Sequence, residues 1–229
     1  MTLDAGVAEM RASQSPTARL AALRGEIATV ARACGRDPAT IVLVGVTKRQ
    51  TRAMVEEALA AALTDVAENY LQESREKLAG LAVRKHFIGH LQTNKAKAIV
   101  ELFDVVQSVD RDDAAEAIAK ASQRLERPVR TLVQVNISPT DRFGIAPEAA
   151  PALAARMRKM GLIVDGIMAV APNTEENGAI AASFRTARAT FERVGGPVLS
   201  IGMSADWREA IRHGSTMLRI GSAIFGART

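Results

Sequence analysis

The sequence predicts an α/β fold, a (β/α)8 barrel of the TIM type, with residues 1–229 forming a single domain. Three observations predict it. Short apolar runs alternate with helix-like stretches, and strands separated by helices imply parallel βαβ units. Eight such runs in 229 residues match the count for closure. No GxGxxG follows the first run, so the fingerprint of an open, doubly wound dinucleotide-binding sheet is missing.

The first strand is 41–48, IVLVGVTK. Five of its first six residues are apolar and four of those are β-branched, the pattern of a strand buried on both faces. Before it, Ser15 and Pro16 read as an N-cap and first helical residue. Leu20, Leu23, Ile27, Val30 and Cys34 follow at helical spacing, with Gly35 as the stop. Cys34 is expected to pack on the core. Residues 1–14 carry little periodic signal.

The alternation then continues. Helix 51–62 precedes strand 65–67, helix 71–81 precedes strand 86–89, and a helix through Lys95 to Leu102 precedes strand 103–109. Helix 112–125 leads to strand 129–137, and helix 147–160 to strand 162–170. Helix 179–194 leads to strand 198–201, and helix 205–213, with Trp207 and Ile211 facing inward, to strand 217–220.

Composition bounds the function. Nearly half of the residues (48%) are apolar, which suits a globular chain with a large core. The net charge is +5, but the basic residues are scattered among acids, without a basic block or interleaved aromatics. No nucleic-acid surface is expected. The single cysteine, Cys34, suits a reducing cytoplasm, and no run is long enough to cross a membrane. A cytoplasmic protein without a membrane partner is expected. The shortage of exposed apolar signal favours a monomer.

In a parallel barrel the functional groups gather at the carboxyl ends of the strands. Those ends carry Lys48, Asn69, His90, Gln92, Ser108, Asp110, Asn136, Met168, Ser200 and Arg219. Lys48 leaves a buried strand, where burial lowers a lysine's pKa and makes its amine a nucleophile toward carbonyls. The loops after strands seven and eight, the usual phosphate site of the fold, read Ser200-Ile201-Gly202-Met203-Ser204 and Arg219-Ile220-Gly221-Ser222. Glycines admit close backbone approach to an anion and serines add donors. A phosphate cradle opposite a strand-end lysine suggests a phosphorylated aldehyde held as a Schiff base. Pyridoxal 5′-phosphate (PLP) and the sugar phosphate of an aldolase both answer that description.

Resemblance separates them. VGVTK at 44–48, ENYLQE at 68–73, HFIGHLQTNK at 86–95, QSVD at 107–110, VQVNIS at 133–138, GIMAV at 166–170, LSIGMSADW at 199–207 and STMLRIGSAIFGAR at 215–228 together resemble the pyridoxal-phosphate homeostasis protein family. Its PLP-binding barrel is similar to the N-terminal barrel of alanine racemase. The resemblance implies that Lys48 forms the internal aldimine and that Asn69 contacts the cofactor. It implies Ser200, Gly202, Gly221 and Ser222 around the phosphate, and Arg219 facing the pyridine nitrogen. An arginine is donor-only and charged, so it favours an unprotonated ring and restrains carbanion chemistry. His90, Asn136 and Met168 are candidates for the pocket lining. The chain departs from the family pattern at Ala67, where glycine is usual, and at Lys85, where tryptophan is common. Gln50 and Arg142 stand where lysines are frequent, which bears on any role of accessory lysines in passing the cofactor on.

Two functions follow. One is a protein that holds PLP on Lys48 and buffers or delivers it, with apo PLP-enzymes as recipients. The other is a PLP-dependent amino-acid racemase or related fold-type III enzyme, with Tyr70 or His90 as a second proton carrier. Tyr70 otherwise reads as packing at a helix start, and Asp110 as the cap of the next helix. His86 and His90 are four apart, but a strand boundary between them removes the sense of a metal spacing. His213 reads as a helix-end contact.

Overall fold

The computed structural model describes residues 15–138, 143–174 and 176–226. Eight strands among them close into one barrel in chain order, each parallel to its neighbours. They are β1 (Val42–Val46), β2 (Asp65–Glu68), β3 (Arg84–Phe87), β4 (Val105–Val109), β5 (Arg130–Val135), β6 (Ile163–Ala169), β7 (Val198–Ser200) and β8 (Met217–Ile220). Closure is made where β8 pairs with β1, from Val42 opposite Met217 to Gly45 opposite Ile220.

Helices cover the outside. They are α1 (Pro16–Ala33), α2 (Arg52–Ala60), α3 (Leu71–Lys77), α4 (Ala96–Leu102), α5 (Asp112–Arg124), α6 (Ala150–Lys159), α7 (Asn177–Val194), α8 (Trp207–Arg212) and α9 (Ser222–Phe225). Ser15 caps α1 by accepting from the Ala18 N–H, with Pro16 just inside. Leu20, Leu23, Ile27 and Ala31 bury one stripe of α1 against its helical neighbours α2, α8 and α9. The stripe ends at Ala31, so Cys34, expected in the core, is exposed at the helix C-cap.

Two other elements differ from expectation. The third strand begins at Arg84, two residues before the apolar run, because β2 and β3 pair from Asp65 opposite Arg84. Its first residue is solvent-facing at the barrel's amino end, where a charge costs little. The four-residue helix α9 is too short to show periodicity.

Two apolar layers hold the barrel. The larger lies between sheet and helices and contains Leu20, Phe103, Phe184, Trp207 and Phe225. The smaller lies inside the barrel and joins Val44, Val46, Ala67 and Met217, with Val42, Ile88 and Val198 against it. The interior is not all apolar. Asp65, His86, Gln107, Ser200 and Arg219 are buried there too, and they bear on the site below.

Gly166 shows how tightly the wall is built. It lies in β6 at φ +147°, and a Cβ there would stand 2.0 Å from the Val198 carbonyl oxygen of β7. That oxygen belongs to backbone and cannot step aside. Gly166→Ala is therefore expected to cost about 2 kcal/mol or more and to lower the Tm by about 5 °C or more. Thermal unfolding of the variant beside Gly25→Ala, where nothing lies within 4 Å of the added carbon, checks this.

Candidate cofactor site

A cavity of about 380 Å³ opens at the carboxyl end of the barrel. It is built from six places. β1 contributes Val46 and is followed by Lys48, β2 is followed by Asn69 and β3 by Ile88, and β6 contributes Met168 with Val170 just after it. The loop after β7 contributes Met203, Ser204 and Ala205, and the eighth strand and its turn contribute Arg219, Gly221 and Ser222.

Lys48 is half-buried, and the backbone on both sides of it is clamped from α3. Lys77 Nζ donates to the Thr47 carbonyl at 2.6 Å, and the Arg49 N–H donates to Glu73 Oε1 at 2.6 Å. Arg49 has φ +60°, a conformation that the clamp holds for a residue with a side chain. Lys77 also pairs with Glu68 Oε1 at 2.7 Å and Glu73 Oε1 at 2.5 Å. Glu68 is fully buried and accepts from the Thr47 hydroxyl at 2.6 Å. Its other oxygen has no hydrogen-bond partner. Burial raises the Glu68 pKa, against the hydrogen bonds from Lys77 and Thr47.

Arg219 forms the charged wall, with only 3% of its surface exposed. Nη1 donates to the Ser200 carbonyl and to Ser200 Oγ, each at 2.7 Å, and Nη2 donates to the Ala169 carbonyl at 2.8 Å. Burial lowers its pKa to about 10, partly offset by the Asp206 charge, so it stays cationic at neutral pH. Asp206 is itself raised by burial. It accepts from the Met203 N–H at 2.5 Å and so folds the turn that presents Ser204. The Ser204 hydroxyl in turn accepts from the Ala223 N–H at 3.4 Å, which ties the β7 loop to the β8 turn.

The residues expected at the site divide. Lys48, Asn69, Arg219, Gly221, Ser222 and Met168 all line the one cavity. Ser200 does not. It is fully buried, and its hydroxyl bonds Gln107 Oε1 and Arg219 instead. A serine on β7 points into the barrel, whereas Ser204, four residues on, sits in the loop that reaches the mouth. The turn sequence Gly202-Met203-Ser204-Ala205-Asp206 carried that signal. Gly202 holds the loop's start at φ +100°, where a Cβ would meet Ala210 and Leu218 side chains.

His90 is exposed, lies outside the cavity lining and stacks on Phe143 with centroids 4.3 Å apart. Asn136 belongs to a neighbouring cavity of about 740 Å³, and its Oδ1 accepts from the Ser138 N–H. Tyr70, expected to pack, is 53% exposed at the start of α3. Asp110, expected to cap a helix, is bound by Arg111, which holds the N-cap position itself. Arg142 lies outside the described residues. Among the described residues no cluster of metal-ligating side chains occurs, and no helix is long and apolar enough to cross a membrane.

The donor set fits a phosphorylated aldehyde with a ring hydroxyl. Small residues of two loops form one rim and an amine stands on the wall. Asn69 Oδ1, buried without a partner, supplies an acceptor for a ligand hydroxyl. The position of Asn69 is fixed from behind: a Cβ on Gly89 would stand 2.0 Å from its carbonyl oxygen.

Residues 18–229 match the family of the alanine racemase N-terminal domain. The fold alone is shared with alanine racemase from E. faecalis, at 16% identity and a TM-score of 0.71, over 93% of this chain and 58% of that one. The chain is 41% identical over 216 residues to the pyridoxal phosphate homeostasis protein of Pseudomonas aeruginosa, covering 91% of this chain and 94% of that protein. It is 35% identical to that of Escherichia coli, covering 91% and 95%. PipY of Synechococcus elongatus, solved with PLP bound, superposes with a TM-score of 0.80 at 29% identity over 93% of this chain and all of that one. The chain belongs to the pyridoxal phosphate homeostasis protein family.

Two predictions follow from the buried charges. Lys77→Met leaves Glu68 in the core without its cation and is expected to cost about 3 kcal/mol. The double variant with Glu68→Gln is expected to recover part of that loss, and urea unfolding of the cycle measures it. Asp65 tests acid stability. Burial alone would raise its pKa, but hydrogen bonds from His86 and Thr64 outweigh burial and hold it below the ordinary carboxylate value. A depressed carboxylate stabilises the fold above its unfolded pKa near 3.9 and loses that contribution as pH falls through the folded value. The Tm gap between wild type and Asp65→Asn is therefore expected to be full at pH 6 and to shrink below about pH 4.

Proposed function

We propose that the chain binds PLP in the 380 Å³ cavity through Lys48 and serves its intracellular homeostasis, by buffering it or delivering it to apo PLP-enzymes. The observation that carries this reading is the convergence of Lys48, Arg219 and the Ser204–Gly221–Ser222 rim on one cavity of cofactor size. When bound, the cofactor supplies an aldehyde that condenses reversibly with an amine, with loss of water.

The chain's own residues divide the work. Lys48 Nζ is the amine. Ser204, Gly221 and Ser222 receive the phosphate, Asn69 orients the ring hydroxyl, and Arg219 presents donors to the ring from the buried wall. Among the described residues, Lys48 and Arg219 are the titratable side chains lining the cavity. A racemase requires a second proton carrier opposite the lysine, and neither Tyr70 nor His90 lines the cavity, which supports holding over turnover.

The test is the visible absorption spectrum of the purified protein with added PLP, wild type beside Lys48→Ala. Wild type is expected to become yellow with saturable binding, and Lys48→Ala to lose the protein-bound band. A wild type that stays colourless would sink the reading. Uptake of solvent deuterium at the α-carbon of common amino acids would move the protein to the racemase class.

A further inference from the structure

Arg219 is one end of a hydrogen-bonded chain that runs through the barrel interior. Ser200 Oγ accepts from Arg219 Nη1 at 2.7 Å and lies 2.8 Å from Gln107 Oε1. Gln107 Nε2 lies 2.8 Å from His86 Nδ1, and His86 Nε2 lies 2.9 Å from Asp65 Oδ1. Ser200, Gln107 and His86 are fully buried, and Asp65 is 3% exposed. The five residues come from five strands, β8, β7, β4, β3 and β2.

The direction of the chain is fixed by its ends. An arginine only donates, so Ser200 Oγ must accept from it, and the hydroxyl proton goes to Gln107 Oε1. The amide nitrogen of Gln107 then faces His86, so Nδ1 accepts and Nε2 carries the proton. That proton meets an ionised carboxylate, which only accepts. Every donor points the same way, from the guanidinium at the cavity to Asp65, which lines the opposite mouth with Arg84. Gln107 Nε2 also donates to Met217 Sδ at 3.3 Å, which agrees with this orientation of the amide.

We propose that Gln107 and His86 are positioning residues for Arg219: the one-way chain Arg219–Ser200–Gln107–His86–Asp65 holds the guanidinium in the orientation that the cavity presents to its ligand. The role in ligand binding rests on the proposed PLP site; the ordering of Arg219 does not. Aligned hydrogen bonds in a low-dielectric interior reinforce one another, and a break in the middle releases both halves. Breaking the chain at Gln107 frees Ser200 to turn its proton elsewhere, so one of the acceptors of Arg219 loses its fixed direction.

The test uses the full chain in four forms: wild type, Gln107→Met, Ser200→Ala and Ser200→Thr. Gln107→Met keeps the volume and removes both bonds; Ser200→Thr keeps the hydroxyl. Thermal unfolding first establishes which variants are folded. Without ligand, the Nη–H signals of Arg219 in nitrogen-edited NMR are expected to be separate in wild type and Ser200→Thr. They are expected to be averaged by rotation in Gln107→Met and Ser200→Ala. With PLP, the two broken forms are expected to bind about tenfold more weakly, with the pH midpoint of the visible band displaced. Ser200→Thr is expected to restore both. Arg219 signals that stay separate in folded Gln107→Met and Ser200→Ala overturn the proposal. If wild type takes up no PLP, the proposed function falls, and the Arg219 signals alone decide the chain.

Discussion

A guanidinium buried inside a barrel is the constraint from which much of this structure follows. An unpaired charge there is costly, so the neighbouring strands must supply acceptors in the plane of the arginine fork. β7 gives a carbonyl and a hydroxyl, β6 gives a carbonyl, and Asp206 gives a nearby negative charge. These demands place polar residues where a barrel of this class usually stacks branched apolar ones. They also reduce the apolar interior to the small group around Val44, Val46, Ala67 and Met217.

The lysine at the other wall is held by different means. Arg219 is held through its side chain, and the backbone on either side of Lys48 is held by Lys77 on Thr47 and by Glu73 on Arg49. An arginine fork presents its donors in a fixed plane, so acceptors bonded to its side chain set its orientation. The buried Lys77–Glu68 pair, costly in itself, is where the backbone beside Lys48 is tied down.

The barrel was legible because its signal is repetitive: runs such as VRTLVQVNI and LIVDGIMAV mark buried strands whatever their neighbours. That Lys48, Asn69, Gly221 and Ser222 would line one cavity was legible because they stand just after strand ends, and Arg219 because it sits at the carboxyl end of β8. Ser200 was misplaced because a strand-end serine can face either the mouth or the interior, and one residue of register decides which. Ser204 needed the geometry of a loop folded by Asp206. The pairs His86–Gln107 and Gln107–Ser200 are separated by 21 and 93 residues, and no local pattern announces contacts of that range. Cys34 shows the reverse failure: it fits an apolar periodicity that ends one step short of it, at Ala31.

A site that stores a cofactor must bind it well and still release it. On the proposed reading those needs fall to different groups. The charged and hydrogen-bonded anchors, Arg219 and the Asp206 turn, belong to the buried and preorganised part of the barrel. Such anchors bind without ordering costs and give specificity. The rim residues Met203, Ala205 and Ser222 are exposed, so water reaches the mouth beside Lys48. Condensation with an amine reverses by adding water, and for the proposed attachment at Lys48 a mouth open to solvent keeps that reversal available. A rigid floor and a wet mouth suit the exchange that the proposed function calls for.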